Sequence, residues 1–130
     1  FEEAVGYYRR ALAVEPKYLS ALNNLGRALA ELKRFDEAAE VLEKSRGLRP
    51  DSPASYVNLL SIYIQTKNMG RALPLAEEAL RRFPDVAAVH WNAGSVLAMV
   101  GRKEEAKTIL RRAKMLDGGS TKRDIRTSLD

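Results

Sequence analysis

The sequence predicts an all-α fold, a solenoid in which antiparallel helix hairpins stack side by side, and three observations indicate it. Helix formers dominate the chain, while only five prolines and eight glycines interrupt it. The sequence matches itself when it is shifted by 34 residues. Small residues and prolines recur at fixed places within that repeat. A two-helix unit of this length cannot bury its apolar face alone, so neighbouring units have to stack.

Three columns of the 34-residue alignment carry the packing information. Two columns hold small residues, which allow two helices to cross closely: Ala4, Ala38, Ala72 and Ala106, and Ala11, Ser45, Ala79 and Ala113. The third column holds Pro16, Pro50 and Pro84, and Gly118 continues it. Because proline cannot continue the helical pattern, this column predicts the end of every second helix.

These signals divide the chain into repeat units. The predicted helices span residues 1–14, 19–32, 36–48, 53–66, 69–82, 87–100 and 103–116. The predicted units are the second helix of a truncated unit (1–18), three complete units (19–52, 53–86 and 87–118) and a capping helix or tail (119–130). We expect Gly118 and Gly119 to end the last hairpin. Ile125 and Leu129 would then share one face of a short helix that covers it.

The segment 21–50, ALNNLGRALAELKRFDEAAEVLEKSRGLRP, resembles the signature of the tetratricopeptide repeat family. The resemblance extends over about residues 1–118. It implies a right-handed α-solenoid of about 3.5 units that binds other proteins and is not an enzyme. The second unit departs most, with Leu60 in the glycine column and Pro74 inside its second helix. We expect Pro74 to cost that helix at most one backbone hydrogen bond.

One polar column predicts a binding site. Asn24, Asn58 and Asn92 recur at the repeat interval, although the chain has only five asparagines. A carboxamide offers a donor and an acceptor together, so it can pair with the backbone of an extended peptide whatever its sequence. The column resembles the asparagine ladder in the superhelix of O-linked N-acetylglucosamine transferases. The alternative is that these side chains only satisfy neighbouring helices or water.

The resemblance also implies that the first helix of each unit lines a concave groove. By the helical period, the further positions that face it are Asn23, Arg27 and Glu31, then Val57, Ser61 and Gln65, and then Trp91, Ser95 and Met99. Trp91 is either an anchor for a partner or a packing residue within the stack. The basic side chains with which chaperone-binding members grip a terminal carboxylate are missing, which disfavours that mode.

Composition argues against several other classes. The chain has one histidine, no cysteine and no glycine-rich phosphate loop, so it offers no nucleophile–base pair, metal set or cofactor site. His90 falls in a packing column. The net charge of +5 comes mainly from residues 87–130, with nine basic and five acidic side chains, and we interpret it as solvated surface without a nucleic-acid partner. No apolar run is long enough for membrane insertion, and the compartment is not indicated.

Two alternative functions stay open. The stack could be the substrate-recognition arm of a larger enzyme, such as a glycosyltransferase. It could also be an assembly scaffold, because the half unit lacks the helix against which Phe1 and Tyr8 would normally pack. We therefore expect either a piece of a longer array or a homo-oligomer that self-associates through these two residues.

Overall fold

The chain forms seven helices in this computed structural model, which describes the backbone of residues 2–129 and the side chains of residues 2–118. In chain order they are α1 (Glu2–Val14), α2 (Leu19–Glu31), α3 (Phe35–Leu48), α4 (Pro53–Gln65), α5 (Met69–Arg82), α6 (Ala87–Met99) and α7 (Lys103–Leu129). No strand occurs in the described backbone. The first six helices begin and end within one residue of the predicted bounds.

The helices divide into two compact units. Unit 1 is Phe1–Asn68 and contains α1 to α4, and unit 2 is Met69–Asp130 and contains α5 to α7. In unit 1, α2 packs against α1, α3 and α4, and α3 also packs against α4. In unit 2, α6 packs against both α5 and α7. Each unit therefore builds its core around the first helix of a predicted repeat.

The prolines end the second helices as predicted. Helices α1, α3 and α5 each stop two residues before Pro16, Pro50 or Pro84. Helix α5 continues through its exposed Pro74, which lies near its start. There the missing N–H removes a single backbone donor while the rest of the helix continues.

The last helix differs from the prediction. Helix α7 runs from Lys103 to Leu129, so the expected end at Gly118 and Gly119 is wrong. Glycine keeps its N–H and has no ring, and in a helix interior it costs only about 1 kcal/mol relative to alanine. Glycine in the proline column thus does not have the effect of proline. Ile125 and Leu129 lie beyond the described side chains, so their expected role as a cover stays a prediction.

Small residues fill the helix crossings. The described members of the two small columns in α3, α5 and α7 are at most 3% exposed: Ala38, Ser45, Ala72, Ala79, Ala106 and Ala113. Ala4 and Ala11, in the same columns of α1, are only half-buried. A larger side chain at the buried positions would push two helices apart, because protein interiors are close-packed.

Two glycines show how tight the crossings are. A Cβ atom on Gly26 would lie 2.5 Å from Cγ of Leu42, and one on Gly94 would lie 2.5 Å from Cδ2 of Leu110. Leu42 and Leu110 each fill the space that a side chain on the glycine would take. In the intermediate repeat, the same two columns hold Leu60 and Ala76, so the large and small residues have exchanged places.

We expect Gly26→Ala to destabilise unit 1 by about 1–3 kcal/mol, the usual cost of overpacking a core. Leu42→Ala alone should cost about 2–5 kcal/mol, because Leu42 is fully buried. In the double variant the total loss should be smaller than the sum of the two, because Leu42→Ala removes the atoms that the new methyl group meets. Denaturant unfolding of both single variants and the double variant gives the coupling energy. Additive losses would contradict the interlock between these residues.

The turns inside the hairpins share one backbone geometry. Lys33, Lys67 and Gly101 have positive φ values of 61°, 57° and 88°. After each of them, the next residue donates its N–H to a carbonyl five residues back, as in Arg34 to Leu29 at 2.8 Å. This is the Schellman arrangement, in which the left-handed residue closes the helix and satisfies its last carbonyls. Left-handed backbone disfavours every residue type except glycine, asparagine and aspartate.

Gly101→Ala should therefore lower the free energy of unfolding by about 1–2 kcal/mol, while Lys67→Gly should raise it by up to about 1 kcal/mol. Lys44→Gly is the matched control, because it replaces an exposed lysine in the interior of α3 and should lower stability by about 1 kcal/mol. Thermal and urea unfolding measure all three. A loss of stability in Lys67→Gly would show that the lysine at this turn is not strained.

Candidate peptide-binding groove

Two neighbouring helices of unit 1 carry polar side chains in matching positions. Asn24, Arg27 and Glu31 follow one face of α2. Helix α4 repeats the pattern 34 residues later with Asn58, Ser61 and Gln65. Spacings of three and seven residues keep such side chains on one face of a helix, and α2 packs directly against α4. The two polar rows therefore lie beside each other.

A small groove lies between these rows. Its volume is about 150 Å³. The polar lining residues are Arg27, Glu31, Asn58, Ser61 and Gln65, and the apolar ones are Gly26, Ala30, Leu42 and Ile62. The structure thus brings together four of the predicted binding residues and Glu31. Asn24 lies about one turn before Arg27 and does not itself line the groove.

The asparagines of unit 1 differ in how far their side chains are engaged. Asn24 and Asn58 are half-buried, and neither carboxamide makes a hydrogen bond to any described residue. The carboxamide oxygen of Asn23, in contrast, accepts a hydrogen bond from Oγ of Ser45 at 2.8 Å. The Asn23 carboxamide oxygen therefore takes part in a hydrogen bond between α2 and α3. The sequence analysis did not predict this bond. The available signal was that both columns are polar only in this repeat: Ser45 stands where the other repeats have alanine, and Asn23 stands where the later repeats have Val57 and Trp91.

A partly buried network keeps α4 in register with α3. Glu43 accepts a hydrogen bond from the hydroxyl of Tyr63 at 3.0 Å and one from Nη2 of Arg46 at 2.7 Å. The guanidinium of Arg46 also lies 5.6 Å from the ring centroid of Tyr56, within the range of a cation–π contact. Because Tyr56 and Tyr63 lie on α4, the network fixes the position of the helix that carries Asn58.

In unit 2, the equivalent row on α6 is more apolar. Asn92 is half-buried, and the hydroxyl of Ser95 donates to the backbone carbonyl of Trp91 at 2.9 Å. Trp91 is 40% exposed and Met99 is 45% exposed. The indole thus has free surface within unit 2. His90 is buried as predicted, with its Nδ1 2.9 Å from the carbonyl of Val86.

The predicted self-association surface lies on α1. Tyr8 is half-buried there, and its ring meets that of Tyr7 edge to face at 5.5 Å. Tyr7 is the more exposed ring, at 63%. Sequence reasoning passed over it because Tyr8, not Tyr7, is in helical phase with Ala4 and Ala11. Phe1 lies outside the described residues, so its predicted role stays a prediction.

Potential metal ligands lie apart from one another in the described part of the chain. Within residues 2–118, no three His, Asp or Glu side chains come close enough together to hold a metal ion. None of the helices in the described part of the chain has an apolar stretch that would reach across a bilayer.

Repeated helix pairs define the class of helical-repeat solenoids. The chain belongs to the tetratricopeptide repeat family: one model of this repeat matches residues 1–53, and a second matches residues 63–122. Solved structures of the family share its all-α solenoid fold. Tetratricopeptide repeats mediate contacts between proteins, so the chain is a protein–protein interaction module.

Three similar proteins illustrate the range of the family. The TPR repeat-containing thioredoxin TDX of Arabidopsis thaliana is 37% identical over 84 residues, which are 65% of this chain and 22% of that protein. MamA of Desulfovibrio magneticus RS-1 is 25% identical with a TM-score of 0.78, over 90% of this chain and 66% of that one. YrrB, described as a TPR protein with an unusual peptide-binding site, is 20% identical with a TM-score of 0.73, over 91% and 61%. The chain thus spans about a fifth of the Arabidopsis relative.

The different bonding of Asn23 and Asn24 predicts different effects on stability. Asn23→Ala should cost about 1–3 kcal/mol, because it leaves the Ser45 hydroxyl buried without its acceptor. Asn24→Ala is the matched control, and it should leave stability unchanged or slightly raised, since alanine is the better helix former.

Adding Ser45→Ala to Asn23→Ala should restore most of the loss, because alanine occupies that column in the other repeats. Urea unfolding of the three variants and the unaltered chain checks the set. Equal stabilities of the Asn23→Ala and Asn24→Ala chains would contradict the assignment.

Proposed function

We propose that this module binds an extended peptide segment along its first helices and that Asn24, Asn58 and Asn92 pair with the peptide backbone. One observation carries the proposal: in unit 1, two half-buried carboxamides recur at the repeat interval without a hydrogen bond to any described residue. Asparagine is a poor helix former, so its use in the middle of α2 and α4 favours a role outside the helix. Asn92 holds the equivalent place on α6 in unit 2.

The carboxamides would provide general affinity. Each donates and accepts one hydrogen bond, which is the pattern that a peptide group needs. A net bond contributes roughly 1 kcal/mol, so a few such bonds hold a chain only weakly. Affinity therefore also depends on side chains of the ligand.

The unit 1 groove would provide selectivity. Its volume of about 150 Å³ offers space for one aliphatic side chain beside Ala30. Burying such a side chain contributes about 1.5–3 kcal/mol. Arg27 is exposed and makes no ion pair with a described residue, so it is available to an acidic group of the ligand. We therefore expect ligands in which an acidic residue lies near an aliphatic one.

Unit 2 offers ligand contacts of a different chemistry. Trp91 and Met99 expose apolar surface on α6, and both side chains suit apolar or aromatic ligand residues. Trp91 is the only tryptophan of the chain, so its fluorescence reports binding at this unit without a label.

A second candidate function is that of a recognition arm within a larger protein. The observation that favours it is the Arabidopsis relative, whose name joins the repeat to a thioredoxin and of which the match covers 22%. In that case the groove would select what a neighbouring domain acts on. A peptide-binding groove serves both functions.

The experiment replaces Asn24, Asn58 and Asn92 together with alanine and measures affinity for a 12-residue peptide selected on the unaltered chain from a displayed random library. Loss of three backbone pairs at about 1 kcal/mol each should weaken binding by roughly 100–200-fold. The matched control, Glu40→Ala with Lys44→Ala, removes two exposed side chains of α3 without changing net charge and should leave affinity within about twofold.

N-methylation of single peptide groups tests the backbone contact itself. Removing an N–H that faces Asn58 should weaken binding to the unaltered chain and should not weaken binding to Asn58→Ala any further. Unchanged affinity of the folded triple variant would refute the proposal. Equal losses from N-methylation in both chains would refute backbone pairing by Asn58.

A further inference from the structure

Helix α7 carries a row of cations on one exposed face. Lys103, Lys107, Arg111 and Lys114 follow one another at spacings of four, four and three residues, and all four are exposed. This spacing places them on one side of a helix over a length of about 17 Å. We call these four residues the cationic face.

On α3, the face that corresponds to the cationic face of α7 packs against α4. Two repeats before the cationic face, the corresponding positions on α3 are Phe35, Ala39, Glu43 and Arg46. Phe35 and Ala39 line a cavity with residues of α4. Glu43 and Arg46 contact the two tyrosines of α4, Tyr63 at 3.0 Å and Tyr56 at 5.6 Å from the ring centroid. In unit 1, this face therefore seats a helix.

The cations on α7 are mostly uncompensated. Lys107 pairs with Glu104 at 3.3 Å, and both side chains are exposed. Lys103, Arg111 and Lys114 make no ion pair with any described residue. A helix with the aromatic and aliphatic residues of α4 would desolvate these charges without forming ion pairs with them. The face is thus unsuited to an apolar helix and complementary to an acidic one.

We propose that the cationic face of α7 binds an acidic helical segment of a partner protein, seated as α4 is seated on α3. The row of cations matches carboxylates spaced four, four and three residues apart on one side of the incoming helix. A nucleic acid fits less well, because the cationic face has no aromatic ring on which a base would stack and only four cations. The face lies on α7, so it is separate from the asparagine rows of the proposed peptide groove.

The test uses a fluorescently labelled, alanine-based peptide of 16 residues with glutamates at positions 1, 5, 9 and 12. An isomer with the same four glutamates distributed around the helix is the peptide control. Fluorescence anisotropy in low salt measures both affinities. The matched peptide should bind at least about fivefold more tightly than its isomer, and both should weaken as salt is raised.

Two charge-reversal variants locate the site. Lys107→Glu with Lys114→Glu should weaken binding of the matched peptide by roughly tenfold or more, because two attractions become repulsions. Arg10→Glu with Lys44→Glu changes the net charge equally at exposed positions of α1 and α3, and it should weaken binding by less than about threefold. The Asn24, Asn58 and Asn92 triple alanine variant should bind the acidic peptide as well as the unaltered chain does.

Three results would overturn the proposal. Equal binding of the matched peptide and its isomer would indicate a general polyanion surface. Equal losses in the two charge-reversal variants would place the peptide elsewhere. Tighter binding of a single-stranded RNA 12-mer, lost in Lys107→Glu with Lys114→Glu, would assign the face to nucleic acid. Circular dichroism confirms that each variant remains helical.

Discussion

The close approach of paired helices is the constraint on which the rest of the structure depends. Leu42 lies where a side chain on Gly26 would be, and Leu110 does the same at Gly94. Such contacts fix both the distance between two helices and the rotation of each about its axis. Rotation decides which residues are buried, so it also decides which ones remain at the surface. The exposed rows on α2 and α6 are thus a consequence of packing on their opposite sides.

Because the packing columns repeat, the exposed columns repeat with them, and only their chemistry changes. In unit 1, the row on α2 and the row on α4 are polar and include two residues of opposite charge, Arg27 and Glu31. In unit 2, the equivalent row on α6 ends in the exposed Met99, and Trp91 is exposed next to Asn92. A fixed framework with variable surface columns is what an interaction module requires, since the ligand preference can change while the core stays the same.

Most of the fold could be predicted from the sequence because its signals are covalent or steric. Proline cannot continue the helical hydrogen-bond pattern, so Pro16, Pro50 and Pro84 mark the ends of the three helices before them. Small residues at a crossing are required because protein interiors are close-packed. The end of α7 was mispredicted because a glycine only weakens a helix, so its effect depends on context that one sequence does not contain. The pairing of Asn23 with Ser45 was missed for a related reason: a hydrogen bond between two helices depends on rotamers.

For the candidate groove, the sequence predicted which residues share a face and not what each one does there. Four of the predicted residues line the same cavity, because helical period and repeat interval together determine their place. The exposure of Tyr7 and the partner of Asn23 depend on neighbours in three dimensions. Periodicity therefore predicts the face on which a residue lies better than it predicts the contacts that its side chain makes.

The exchange of large and small residues between repeats also affects which helices of the chain pair with one another during folding. Helices of similar sequence within one array can pair with the wrong neighbour, which is a characteristic failure of repeat proteins. Helix α4 carries Leu60 where α2 carries Gly26, so α4 cannot receive Leu42 as α2 does. A mispaired hairpin would oppose two leucines or leave a void between two small residues. The exchanged residues of the middle repeat thus favour correct over incorrect helix pairing during folding.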